Sequence, residues 1–315
     1  MYIDDQVMDE RERISFRLRS LYAGCGFSRY KMSKFEEYDL YSRNKDFLLS
    51  KSVITFTDTN GRLMALKPDV TLSIVKNSKD TPGQLRKLYY HENVYRVSAA
   101  ADGFREQAQV GLECTGALDT EGLKEVLRLA AESLRLCSDQ FILEISHLGI
   151  LSAFTSKITG DETLREQILQ CASEKNLHGI SRICRENGIA EGTEDGLLSL
   201  LRLYGMPEAV LPQIKALAAA NGLTDYAEEL EQALSVFSGS GLEDRIRVDF
   251  SSTGDLKYYN GITFKGFISG IPECVLSGGQ YDNLMRKMGR KDRAVGFAVF
   301  LNTLERLNEE GGANA

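Results

Sequence analysis

Hydrophobic positions change period several times along this chain, and each change marks a predicted element. From Asp9 to Tyr22 the apolar residues Ile14, Phe16, Leu18, Leu21 and Tyr22 mostly recur at helical spacing, and Gly24 and Gly26 follow as a stop signal. This predicts an opening amphipathic helix. Two β-rich runs, Val53 to Thr57 and Arg62 to Leu66, flank Asp58-Thr59-Asn60-Gly61, and Asn-Gly between extended runs predicts a hairpin. Gln84 to Ser98 and Gln107 to Thr115 read as long antiparallel strands, joined by a small, polar, mobile loop at Ala99-Ala100-Ala101-Asp102-Gly103. Thr120 to Ser138 is helical by pattern and Gln140 to Ile145 is a strand.

From 160 to 238 the pattern is almost wholly helical, rich in Leu, Ala, Glu and Arg, with no strand signal. Strands return at Arg245 to Phe250, Gly261 to Ile268 and Glu273 to Ser277, and Glu309 to Ala315 reads as a frayed tail. The expected fold class is therefore α+β, an antiparallel sheet with helices packed on it. Residues 1–159 and 239–315 would form the core, and 160–238 a helical insertion.

Composition narrows the function. The 315 residues are 43% hydrophobic and 26% charged, in the ordinary globular range. With 38 basic against 45 acidic residues the net charge is -7, which argues against generic nucleic-acid binding. Cys25, Cys114, Cys137, Cys171, Cys184 and Cys274 are scattered without a CxxC pair, so buried free thiols are expected and no metal site is. The acidic start MYIDDQVMDERERISF does not resemble a signal peptide, and no apolar run approaches the ~18 residues of a membrane span. A soluble, cytoplasmic protein with no membrane contact is the expectation.

Candidate chemistry lies at strand ends. Pro68 fixes the chain where a strand stops, so the Asp69 carboxylate and Thr71 hydroxyl should project together at its mouth. By period-2 alternation Gln109, Gly111 and Glu113 share one strand face, with Gly111 leaving an opening between an amide and an acid. Arg96, at the end of the first long strand, is suited to a carboxylate or phosphate. Tyr258-Tyr259-Asn260-Gly261 precedes a strand and Ser277-Gly278-Gly279-Gln280-Tyr281-Asp282 follows one. Taken singly, each fragment also fits a helix cap, a solvated cross-strand partner or a turn.

Their joint order resembles the histidyl-tRNA synthetase family over nearly the whole chain. The hairpin followed by Leu66-Lys67-Pro68-Asp69-Val70-Thr71 is similar to the family's Arg-Pro-Glu/Asp-x-Thr signature. Tyr95-Arg96 and Phe104 to Glu113 resemble class II motif 2, the two Tyr and Gly-Gly fragments resemble the histidine-specific motifs, and Ala294-Val295-Gly296-Phe297-Ala298 opens a stretch similar to motif 3. The resemblance implies a class II aminoacyl-tRNA synthetase-like fold that dimerises. It also implies that Asp69, Thr71 and Gln109 hold an α-ammonium, that Glu113 and one of Tyr258 or Tyr259 meet an imidazole, and that Arg96 sits near the carboxylate.

The sequence departs from the family where ATP would be held. Gly254 stands where the synthetase pattern Arg-Gly-Leu-Asp-Tyr-Tyr has its arginine, Thr303 where motif 3 has its arginine, and Ser98 where motif 2 has a glutamate. Arg306 lies three residues past the motif 3 position; on a helix that is ~4.5 Å of rise and ~60° of azimuth away, so a surface role is expected. Adenylation depends on preorganised cations around the triphosphate. The chain also stops after motif 3, without the ~100 residues of an anticodon-binding domain, so no tRNA partner is expected. Tyr30-Lys31-Met32-Ser33 lacks the proline usual in motif 1. The family's non-catalytic members are regulatory subunits of ATP phosphoribosyltransferase, in the first step of histidine biosynthesis. The resemblance thus implies a subunit with no cofactor, L-histidine as effector, and a short-form catalytic subunit as partner around a homodimer. The competing expectation is a stand-alone enzyme that still forms an aminoacyl-adenylate.

Overall fold

The computed structural model describes residues 7–48, 52–78, 83–98, 103–251 and 258–305. Helix α1 (Glu10–Gly24) opens the chain behind a reciprocal cap: Asp9 Oδ1 accepts from the Glu12 amide at 2.7 Å, and the Glu12 carboxylate accepts from the Asp9 amide at 3.0 Å. β1 (Ser28–Arg29) follows, then β2 (Phe35–Glu37), α2 (Tyr38–Ser42), β3 (Thr55–Thr57) and β4 (Leu63–Leu66). β3 and β4 are the predicted hairpin. Its turn is held by Asp58 Oδ1, which accepts from the Asn60 and Arg62 amides at 2.8 Å, and Gly61 supplies φ +77°. β2, β4 and β3 make a small antiparallel sheet in that order.

Beyond α3 (Thr71–Asn77) come β5 (Leu85–Ser98) and β6 (Gly103–Gly116), antiparallel along their whole length. β6 therefore begins at Gly103, not at Gln107, because strong pairing extends past the apolar residues that signal it. The rest of the predicted loop, 99–102, lies outside the described residues. Next are α4 (Thr120–Cys137), β7 (Phe141–His147), α5 (Leu148–Ile158), α6 (Glu162–Ser173), α7 (Leu177–Glu186), α8 (Glu191–Arg202), β8 (Tyr204–Gly205), α9 (Pro207–Ala220) and α10 (Thr224–Leu234). The chain closes with β9 (Ile246–Asp249), β10 (Ile262–Ile268), β11 (Leu276–Gln280), α11 (Asp282–Lys287), β12 (Arg293–Phe300) and α12 (Leu301–Leu304). The predicted tail at 309–315 lies outside the described residues.

Among the described residues the main sheet has nine strands, in the order β1-β5-β6-β12-β11-β10-β7-β9-β8. The fold is α+β as expected, but the sheet is not wholly antiparallel: β1 with β5 and β7 with β9 run parallel. Both pairs span long crossovers, which parallel strands require, and periodicity carries no information on a partner's direction. β8 is a strand where none was expected; two residues are too few to show alternation. The strand expected at Glu273 to Ser277 is displaced to Leu276–Gln280, so the Gly278-Gly279 pair lies inside a strand and not in a turn after it. A Cβ at Gly278 would lie 2.4 Å from Phe297 Cβ, and one at Gly279 would lie 2.8 Å from Tyr259 Cδ1. Glycine is there for close packing on both faces.

Alternation then decides which face does what. Val110, Leu112 and Cys114 of β6 and Val295, Phe297 and Val299 of β12 join the core with α1 and α4. That core is continuous with Ile168, Ile180, Leu197, Ile214 and Leu230 from the helices between β7 and β9. The residues in between turn to the opposite face. The cysteines are free, but only Cys114 and Cys184 are fully buried; the other four are half-buried, a correction to the expectation.

Candidate functional site

The opposite face of β5, β6 and β12 floors a pocket. On β6 the alternation brings Gln109, Gly111 and Glu113 inward; β5 contributes Tyr90 and Arg96, and β12 contributes Gly296 and Ala298. Asp69 and Thr71 reach it from the start of α3, and Tyr258, Tyr259 and Tyr281 close the far wall. The structure thus gathers Asp69, Thr71, Arg96, Gln109, Glu113, Tyr258 and Tyr259 around one cavity. Adjacent strand residues would face apart, but Tyr258 and Tyr259 precede β10 in irregular backbone, so both line the pocket. Their rings meet edge-on at 4.7 Å.

Glu113 sits at the centre, 3% exposed. Thr71 Oγ1 donates to its Oε1 at 2.6 Å and the Tyr281 hydroxyl donates to its Oε2 at 2.6 Å. Room for this carboxylate comes from the neighbouring strand: a Cβ at Gly296, the residue paired with Glu113, would stand 1.7 Å from Oε2. Burial pushes the Glu113 pKa up to about 8, against the lowering effect of the two hydroxyls. Burial also raises Asp69, opposed by the Leu72 amide, which donates to its Oδ1 at 2.8 Å, and by the Arg96 charge. Arg96 is lowered by burial and supported by Asp69. Its Nε donates to the Pro68 carbonyl and its Nη1 to Gln107 Oε1 on β6, both at 3.1 Å, which fixes the guanidinium.

Gln109 is the informative residue. Its amide Nε2 is buried and has no hydrogen-bond partner among the described residues. A buried, unmade donor costs folded stability, so its presence on a pocket wall points to an acceptor beyond the described residues, such as a bound ligand. Two buried acids, one guanidinium, an orphan donor and four phenols fit a small zwitterion carrying a ring with nitrogen atoms. The free space is narrow, ≈ 30 Å³, enough for about two water molecules.

Tyr90 and Tyr281 were missed as site residues. Tyr90 pairs across from Gly111, whose missing Cβ would lie 2.5 Å from the Tyr90 hydroxyl; the expected opening over Gly111 is filled by this ring. The signal was present, since Tyr90 shares period-2 parity with Arg96 on β5. Tyr281 stood in the quoted Gly-Gly fragment, but reading that fragment as a turn hid its direction. Of the positions where a triphosphate would be held, Thr303 is half-buried in α12, beside Asn302, whose Oδ1 accepts from the Ala108 amide at 2.6 Å. Gly254 and Arg306 lie outside the described residues. No group of His, Cys, Asp and Glu among the described residues could hold a metal ion, and no described helix is long and apolar enough to cross a membrane.

The Histidyl-tRNA synthetase family model matches residues 3–304. A Clostridium kluyveri protein named ATP phosphoribosyltransferase regulatory subunit is 28% identical over 303 residues, covering 94% of this chain and 77% of its own length. Among solved structures, an ATP phosphoribosyltransferase regulatory subunit/histidyl-tRNA synthetase from Bacillus halodurans C superposes with a TM-score of 0.82 at 23% identity, over 94% of this chain and 79% of that one. The ATP phosphoribosyl transferase (HisG:HisZ) complex from Thermotoga maritima contains a chain with a TM-score of 0.72 at 22% identity, over 93% of this chain and 98% of that one. With a match across nearly its whole length and the class II fold of these neighbours, this chain belongs to the histidyl-tRNA synthetase family.

Proposed function

We propose that this chain is a regulatory subunit of an ATP phosphoribosyltransferase, required by a short-form catalytic subunit and binding L-histidine as the feedback effector without chemistry of its own. The observation that carries this reading is the contrast between the pocket and the sequence positions expected to serve ATP. Every side chain expected around an amino acid is assembled there, while the sequence has Gly254, Ser98 and Thr303 where the family holds a triphosphate. Relatives from Clostridium kluyveri and Alkaliphilus metalliredigens with the regulatory-subunit name support it.

In the proposed complex the α-ammonium lies between Asp69 and Thr71, where an acid and a hydroxyl oxygen supply acceptors. The unpaired Gln109 Nε2 supports a bond from that amide, with Arg96, to the carboxylate, while its Oε1 remains an acceptor for the expected ammonium contact. Glu113, held in place by Thr71 and Tyr281, keeps lone pairs for an imidazole N–H, and the edge-on pair Tyr258 and Tyr259 walls the ring. The residues 1–159 and 239–315 carry this pocket, and a homodimer of that core within a hetero-oligomer in the cytoplasm completes the reading.

Reconstitution tests it. Mixed with a short-form catalytic subunit, the chain should raise phosphoribosyl transfer to ATP, and histidine should suppress it. Histidine alone should raise the melting temperature by mass action and ATP alone should not. Histidine-dependent ATP–pyrophosphate exchange by the isolated chain would overturn the proposal in favour of a stand-alone adenylating enzyme.

A further inference from the structure

We propose that helix α10 is the output element of the pocket, its docking made dependent on ligand occupancy by a chain of hydrogen bonds and ion pairs from Glu113 to Glu229. The inference rests on the histidine-binding reading above. The Tyr281 hydroxyl donates to Glu113 Oε2 at 2.6 Å, and the Tyr281 amide donates to the Ala294 carbonyl at 2.9 Å. The neighbouring Asp282 Oδ1 accepts from the Ala294 amide at 2.9 Å, and its Oδ2 lies 3.5 Å from Arg293 Nε. Arg293 Nη2 then donates to Glu229 Oε1 at 3.1 Å. Glu229 belongs to α10, and its other oxygen meets His147 Nε2 at 3.3 Å.

His147 anchors the far end. Its Nδ1 accepts from the Gly149 amide at 3.1 Å, which leaves Nε2 as the N–H that faces Glu229. A second tie runs in parallel: the Leu148 amide, at the start of α5, donates to the Gly261 carbonyl at 2.9 Å, and the Asn260 amide donates to the Gln280 carbonyl at 3.0 Å. Both walls of the pocket, the Tyr258-Tyr259 turn and the Tyr281 hydroxyl, are therefore fastened to the helices between β7 and β9. An imidazole N–H that takes up a remaining lone pair of Glu113 weakens the hydrogen bond Tyr281 makes to the same carboxylate, and so biases the position of Tyr281 and of the Ala294 pairing beside Arg293. Arg293 is half-exposed, so its ion pairs hold little fixed stability and can be redistributed by a small ligand-dependent bias.

Hydrogen exchange of the full chain, with and without L-histidine, reads this directly. In the wild type, histidine should slow exchange in both β6 and residues 224–234. In Glu229→Gln, β6 should keep its protection and 224–234 should lose it, with histidine affinity changed by about 2- to 30-fold. Arg293→Gln interrupts the same chain, so combining it with Glu229→Gln should change affinity no more than either substitution alone. Protection of β6 without protection of 224–234 in the wild type, unchanged protection in Glu229→Gln, or additive effects of the pair would each overturn the inference. If histidine slows exchange nowhere, the binding reading itself falls and this inference with it.

Discussion

Replacing Glu113 by Gln should flatten the pH dependence of folding. The carboxyl is 3% exposed, and its folded pKa stands near 8 against an ordinary 4.5. Between those values the native protein holds a proton that the unfolded chain has already released, so stability falls as pH rises. The contribution is complete below about pH 4.5 and is lost as the pH passes 8. The interval corresponds to about 5 kcal/mol at ~1.4 kcal/mol per tenfold, an upper bound because relaxation around Glu113 would soften it. A glutamine keeps the volume and still accepts from one hydroxyl, but has nothing to titrate. Urea unfolding measured from pH 5 to pH 9 should therefore show the variant gaining on the wild type by several kcal/mol across the range. Parallel stability curves for the two proteins would refute the claim that this carboxyl is held neutral by burial.

Other outcomes follow from single contacts. Gln109→Leu should stabilise the ligand-free protein by about 1 kcal/mol, by removing an unmade donor, and abolish the histidine-dependent rise in melting temperature. Gly296→Ala would put a methyl into the Glu113 carboxylate; a loss of ~1–3 kcal/mol in denaturant unfolding, with loss of histidine binding in calorimetry, is expected. Lys67, 1% exposed, forms an ion pair with Glu92, and Lys67→Met should destabilise by ~3–5 kcal/mol because Glu92 would remain partly buried without its cation. Asp9→Ala should cost about 1 kcal/mol, seen as faster amide exchange in the first turn of α1.

Much of the core was legible because its signals are local. Asp9 and Gly24 bracket α1, Asn60-Gly61 marks the β3–β4 turn, and parity along β6 puts Gln109 and Glu113 on one face. What stayed hidden depends on partners distant in sequence. Gly278-Gly279 looks like a turn until Phe297 and Tyr259 press against it from the two sides. Tyr90 becomes a pocket residue only once it is paired with Gly111. Parallel pairing of β1 with β5 and of β7 with β9 leaves no mark in either strand. Thr71 was expected to face a ligand cation; that it also orients Glu113 required the two residues to meet across α3 and β6.

A cavity of ≈ 30 Å³ has kinetic implications. Pockets for small organic ligands usually enclose ~300 Å³ or more, so if histidine binds here as proposed, the phenolic wall has to move to admit it. The measured affinity is then the intrinsic one scaled by the fraction of molecules already open. Association should run well below the encounter limit and level off at high effector concentration, where the rate becomes that of the wall's own excursions. Stopped-flow mixing with L-histidine should show this saturation of the observed rate, and a rate that rises linearly with concentration would refute it.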